Sequence, residues 1–239
     1  MSALSEKTLG FSSRQEFDRE IKFTLDGRDV TAAHKWLQTI CIPDPGFPTG
    51  LVYSIYYDTP ALDCLREKID SDYLKIKIRL RWYEGQNNSV NSSFLEAKFR
   101  IGQRRHKVRI ETPYSGDWLT RTPLHHSTLR QIPLRLREEG ISVPSLIRPV
   151  LLVRYRRNRF IETLTNLRVC LDSNISAPIV NREVLLAPNP LQLSTAVVEV
   201  KGNVVGLPQM LRNLIDLGGR KTSFSKYFAC YDHTVTIAN

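Results

Sequence analysis

Residues 73–85 read YLKIKIRLRWYEG. In that stretch Lys75, Lys77, Arg79 and Arg81 alternate with Leu74, Ile76, Ile78, Leu80 and Trp82. The two-residue period is that of a β-strand with one cationic and one apolar face; a helix would scatter the cations around its circumference. One such strand is ordinary, because antiparallel sheets often leave a face to water. Repetition of the pattern along the chain is what restricts the fold.

The repetition is there. In EFDREIKFTL, Asp18, Glu20, Lys22 and Thr24 share a face, while Phe17, Ile21, Phe23 and Leu25 mostly take the other. In FLEAKFR, Glu96, Lys98 and Arg100 oppose Leu95, Ala97 and Phe99; in RRHKVRIE, Arg105, Lys107, Arg109 and Glu111 oppose His106, Val108 and Ile110. LRVCLD pairs Arg168 with Asp172 against Leu167, Val169 and Leu171, and VVEVK pairs Glu199 with Lys201 against Val198 and Val200. The strand around VLLVRYRRNRF leaves its inward face open, since Arg154 and Arg156 have one parity and Tyr155, Arg157 and Arg159 the other.

Period-two segments over residues 17–25, 51–58, 73–84, 93–101, 104–112, 149–162, 167–173 and 195–201 predict about eight strands. Helical patterns occupy DVTAAHKWLQTI, STLRQIPLRLREEG and LPQMLRNLIDLGG, and a C-terminal helix is expected to start at Lys226 in SFSKYF. Most strand-to-strand links are too short for a helical crossover, so the sheet is expected to be antiparallel. If helices cover the apolar faces from outside, the charged faces meet each other. The fold expected is therefore α+β, mainly antiparallel β: a closed, tunnel-like barrel of about eight strands with helices packed outside. Cations crowded into such an interior repel one another unless carboxylates and a bound polyanion compensate them.

Residues 1–14 read as a flexible lead-in and residues 15–239 as a single domain. The net charge of +10, from 34 Lys and Arg against 24 Asp and Glu, favours an anionic partner. No recognition helix or aromatic stacking motif points to nucleic acid. The N-terminus lacks the form of a secretory signal, and no apolar run approaches the roughly 18 residues of a membrane span. Cys41, Cys64, Cys170 and Cys230 lack paired or metal-ligand spacing and read as reduced core thiols, which suits a cytoplasmic protein.

The segments REIKF, YSIYYDTPALDCLREKID, IRLRWYEG, FLEAKFR, RYRRNRF, LRVCLD, VVEVK and TSFSKYFAC, in this order, resemble the VTC-type (vacuolar transporter chaperone) polyphosphate polymerase domain of the CYTH-like triphosphate tunnel metalloenzyme superfamily. The resemblance implies phosphate-binding and catalytic roles for Lys22, Arg79, Arg81, Lys98, Arg157, Arg168 and Lys226. Lys77, Lys107, Tyr155, Lys201 and Ser225 join them as phosphate-binding residues, which turns Tyr155 and Arg157 inward. It also implies a Mn²⁺ or Mg²⁺ on Glu199, with Glu20 as a second ligand. Where the superfamily's first strand often carries ExExK, this chain has Asp18 in the first position.

The reaction so implied is transfer of the γ-phosphoryl group of ATP to a growing inorganic polyphosphate chain, which asks for positioning and charge neutralisation and for no protein nucleophile. An inorganic triphosphatase or nucleoside triphosphatase in the same fold, and a non-catalytic polyphosphate-binding protein, are the alternatives. Removing Arg79 and Arg81 together is expected to relieve repulsion and leave folding largely intact.

Overall fold

The structure, a computed structural model, describes residues 19–69, 74–84, 92–101, 104–185, 191–202 and 206–238. The lead-in read over residues 1–14 and the Asp18 position lie outside the described residues, as does the side chain of Lys75.

Eight long strands stand where the alternation puts them: β1 (Arg19–Asp26), β3 (Thr49–Asp58), β4 (Leu74–Glu84), β5 (Ser93–Ile101), β6 (Arg104–Thr112), β7 (Arg148–Glu162), β8 (Arg168–Val180) and β10 (Thr195–Gly202). Three short strands join them: β2 (Cys41–Pro43), β9 (Leu191–Gln192) and β11 (Arg220–Lys221). All form one antiparallel sheet in the order β11, β1, β10, β8, β7, β3, β4, β5, β6, with β2 on β7 and β9 on β8.

The expected closed barrel is corrected in one respect. Among the described residues no ladder joins β6 to β1 or β11, so the hydrogen-bonded path has two ends. The sheet nevertheless curls, because one cavity is lined from both of them: Lys22 of β1 and Lys107 of β6 face the same space.

Alternation decides what lies on the convex side. Ile78, Leu80 and Trp82 of β4, with Leu95 and Ala97 of β5, are fully buried beneath helices α3 (Gly116–Arg121) and α4 (Ser127–Gln131) and the 3-10 turn Ile132–Arg137. Pro133, which has no N–H to donate, sits where the single long helix read over 127–140 breaks into these two pieces. Phe23, Leu25, Val169, Leu171, Val198 and Val200 form a second outer cluster beneath α1 (Val30–Ile40) and the turn Gln209–Leu214. Residues 207–219 were read as a helix; the structure keeps only this 3-10 turn of it.

The expectation that every helix packs outside fails for α5 (Lys226–Ala238). Its Tyr227 and Cys230 pack with Tyr56, Tyr155, Val153, Ile175 and Val197, and Tyr227 stacks on Tyr56 with ring centroids 5.1 Å apart. Part of the concave face is therefore apolar, and α5 fills it. The buried Asp58 carboxylate ties this helix to α2 (Asp63–Ile69): it accepts the Tyr227 hydroxyl at 2.9 Å and the backbone N–H groups of Thr59, Cys64 and Leu65.

Gly116 opens α3 directly above Trp82, and a Cβ there would stand 2.5 Å from the indole Cδ1. Trp82 cannot retreat, being buried and stacked on Tyr53 with centroids 5.3 Å apart. Gly116→Ala is therefore expected to cost about 1–3 kcal/mol through overpacking, measured by urea unfolding.

Candidate functional site

The ladders fix which side chains enter the concave face. On β4 and β5 the pairs Lys77↔Lys98 and Arg79↔Glu96 stand directly opposite, and on β5 and β6 Lys98 faces Lys107 and Glu96 faces Arg109. On the other side, Lys22↔Glu199 and Glu20↔Lys201 pair β1 with β10, Lys201↔Arg168 pairs β10 with β8, and Arg157↔Asp172 pairs β7 with β8. The parity of β7 is settled: Tyr155 and Arg157 are buried inward, while Arg154 and Arg156 are exposed. All fourteen residues named from the sequence line a single cavity of about 670 Å³.

Two carboxylate centres hold the cations apart. Glu96, 2% exposed, accepts from Arg79 Nε at 2.8 Å and Nη2 at 2.6 Å. Lys107, Arg109 and Arg81 follow at 3.6, 3.8 and 3.9 Å. Burial alone would raise its pKa, but Arg79, Arg81 and Lys107 hold it down to about 2. Arg81 is further fixed by bonds from Nε to Ser54 Oγ at 3.0 Å and from Nη2 to the Tyr155 hydroxyl at 3.3 Å.

The second centre is Asp172 with Glu199. Asp172 is wholly buried and receives Arg157 in a two-bond fork at 2.6 and 2.7 Å, with Lys226 at 2.6 Å. Glu199 lies 2.9 Å from Lys201, 3.3 Å from Arg157 and 3.4 Å from Lys22. Burial opposes ionisation of both carboxyls. Arg157 and Lys226 overcome it at Asp172, and at Glu199 a bond with Glu20, then Lys201 and Arg157, hold the pKa well below the usual carboxylate range. Lys22 also bonds Glu20 at 2.7 Å and the Phe224 carbonyl at 3.2 Å.

Lys77 and Lys98 differ from the rest. Among the described residues neither has a carboxylate within ion-pair distance. Lys77 reaches Ser225 Oγ at 3.4 Å and lies 4.8 Å from the Tyr56 ring centre. Burial and neighbouring cations, Arg79 foremost for Lys98, bring both ammonium groups down to about 8. A row of facing lysines is unfavourable in an empty sheet and favourable beneath an anion. Lys226 opens α5 beside Ser225, whose Oγ also accepts the Phe228 N–H at 3.4 Å, so the site includes that helix's N-terminus.

Tyr56, Tyr227 and Ser54 received no role from the sequence. Along β3 residues 52–58 are all buried, so both faces look apolar and alternation gives no inward set. Tyr56 reaches the cations nonetheless: burial would raise its phenol, but Lys77, Arg79, Arg81 and Lys226 pull it down to about 7.

A divalent metal has two candidate ligands here. Glu20 and Glu199, a carboxylate pair whose oxygens suit Mg²⁺ or Mn²⁺, both face the cavity and share Lys22, at 2.7 and 3.4 Å. Among the described residues no group of three or more His, Cys, Asp or Glu is placed to hold a metal ion, so any such ion would complete its shell with waters or phosphate oxygens.

A curled antiparallel sheet with cations and counter-carboxylates on its concave face defines a triphosphate-tunnel type of domain. Residues 17–235 match the VTC domain, and the chain belongs to that family. No curated protein matches the sequence. Among solved structures, a candidate adenylate cyclase from Bacillus halodurans is similar at 12% identity and a TM-score of 0.50, covering 88% of this chain and 93% of that one. A second candidate adenylate cyclase, from Vibrio parahaemolyticus, is similar at 10% identity and a TM-score of 0.47, covering 92% and 98%. Among the described residues no helix is long and apolar enough to cross a membrane.

The depressed pKa of Glu96 makes a signed prediction. Its contribution, about 3 kcal/mol, is present above pH 4.5 and is lost as pH falls through about 2. Urea unfolding is expected to weaken over that window, and Glu96→Gln to flatten the slope there. At neutral pH the same substitution is expected to cost about 3–5 kcal/mol, because four cations lose their counter-charge.

Proposed function

We propose that the protein is a polyphosphate polymerase that transfers the γ-phosphoryl group of ATP to the end of an inorganic polyphosphate chain held on the concave face of the sheet. The observation that carries this reading is Lys77 and Lys98, opposed and, among the described residues, without a carboxylate within ion-pair distance, inside a cavity where Arg79, Arg157, Lys201 and Lys226 are already arranged around Glu96, Asp172 and Glu199. A polyanion is the ligand that such a surplus fits.

In this reaction a terminal oxygen of the acceptor attacks the γ-phosphorus, a P–O bond forms, the bond to the β–γ bridging oxygen breaks, and ADP leaves. Arg79, Arg81 and Arg157 present planar forks to the non-bridging oxygens, and their ion pairs with buried carboxylates fix where those forks point. Lys77, Lys98, Lys107 and Lys226 act as point charges along the phosphates, with Arg168 and Lys201 on the β8–β10 side. Tyr155, with Lys226 4.6 Å from its ring centre, keeps that ammonium over the site. Glu199 and Glu20 would hold Mn²⁺ or Mg²⁺, which when bound neutralises charge on phosphate oxygens.

Incubation with ATP and Mn²⁺, with products resolved on a gel, tests the proposal: a ladder of phosphate chains is expected. Released orthophosphate without a ladder would instead support a triphosphatase, and unchanged ATP with tight polyphosphate binding a non-catalytic binder.

Anion affinity should also follow the lysines. Tripolyphosphate binding measured by calorimetry is expected to weaken as pH rises through about 8, where Lys77 and Lys98 lose their protons. Lys77→Arg, with a cation that stays charged, should reduce that dependence. A pH-independent affinity between 7 and 9.5 would contradict the assignment.

A further inference from the structure

The inward file of the sheet changes chemistry at one end. Along β4 it runs Lys77, Arg79, Arg81 and then Tyr83; along β5 it runs Lys98, Glu96 and then Phe94, which pairs with Arg81. The cavity lining reaches as far as Arg81 and Arg157. Beyond them the inward positions hold two aromatic rings, each with a guanidinium against it. Arg109 lies 3.7 Å from the Phe94 ring centre and Arg159 5.9 Å from that of Tyr83. Tyr83, Phe94 and Arg159 are half-buried and Arg109 is exposed. Arg159 Nη1 also bonds the carbonyl of Phe47, which brings the loop of that exposed aromatic residue to the same end.

A polyphosphate has no use for aromatic rings. Inorganic phosphate chains are recognised by charge and N–H donors, whereas a purine or pyrimidine gains from a ring face or a stacked guanidinium plane. Spacing agrees with chemistry. Successive inward residues of a strand lie about 7 Å apart, so Arg81 and Tyr83 are separated by about the reach from an α-phosphate across a ribose to its base. Charge gives way to aromatic surface in the same sense that a nucleoside triphosphate does.

We propose that Tyr83, Phe94, Arg109 and Arg159 form a nucleoside subsite, which takes the base and ribose of a nucleoside triphosphate whose phosphates lie on Arg81 and Arg79. The subsite rests on the reading that phosphates occupy the basic interior, and it adds a means of telling a nucleotide donor from a bare phosphate chain. The phosphate donor then enters from the Tyr83 end.

The test compares ATP with inorganic tripolyphosphate, which carries the phosphates alone. Calorimetry on Tyr83→Leu and Phe94→Leu should show ATP binding weakened roughly tenfold or more, the loss expected for a removed stacking partner, with tripolyphosphate affinity held within twofold. Without any substitution, the ethenoadenine analogue of ATP should lose fluorescence on binding and recover it when displaced by ATP. Equal effects on the two ligands in folded variants, or a bound analogue with unchanged fluorescence, overturn the subsite while leaving the phosphate reading in place. If the unaltered protein binds neither ligand, the phosphate reading itself falls, and the subsite with it.

Discussion

The structure depends on how a few buried carboxylates hold a crowd of cations inside a curled sheet. Glu96 gathers Arg79, Arg81, Lys107 and Arg109, while Asp172 and Glu199 gather Arg157, Lys226, Lys201 and Lys22. Without these anions the concave face would carry only like charge at short range, and the two halves of the sheet would repel across the cavity. With them, the arginines become oriented forks rather than mobile charges. This changes one expectation drawn from the sequence: removing Arg79 and Arg81 does not simply relieve repulsion, because it strips Glu96, at 2% exposure, of its closest partners.

Among the described residues Lys77 and Lys98 have no carboxylate within ion-pair distance, and the proposed function rests on them. Neighbouring cations and partial loss of hydration destabilise their ammonium groups, though Lys98 keeps an exposed side chain, and a bound anion would recover that cost. The apolar stretch of the concave face is what allows the arrangement. Tyr56, Tyr227 and the body of α5 fill the part of the interior that has no charge, and Asp58 ties α5 to α2, so that Lys226 and Ser225 arrive at the cavity edge from a helix rather than from the sheet.

Much of this was legible in the sequence where a strand has one polar and one apolar face. Residues 74–84, 93–101 and 104–112 declare their inward sets by alternation alone, and the order of motifs identifies the family. Legibility fails where both faces are buried: β3 shows no alternation, so Tyr56 was missed although it faces the cations. It fails again for α5, since an amphipathic helix looks the same whether its apolar side meets the outer or the inner face of a sheet. Closure was overstated for a related reason. Alternation says which side of a strand is polar and nothing about whether the last strand pairs with the first.

The central claim is that the interior carries uncompensated cations because a polyanion belongs there. Thermal unfolding of the protein and of Lys98→Ala, each with and without inorganic polyphosphate, measures this directly. The account predicts that Lys98→Ala melts at or above the temperature of the unaltered protein when no anion is present, and that polyphosphate raises the melting temperature of the unaltered protein far more than that of the variant. A lower melting temperature for anion-free Lys98→Ala, together with no stabilisation of the unaltered protein by polyphosphate, would contradict it.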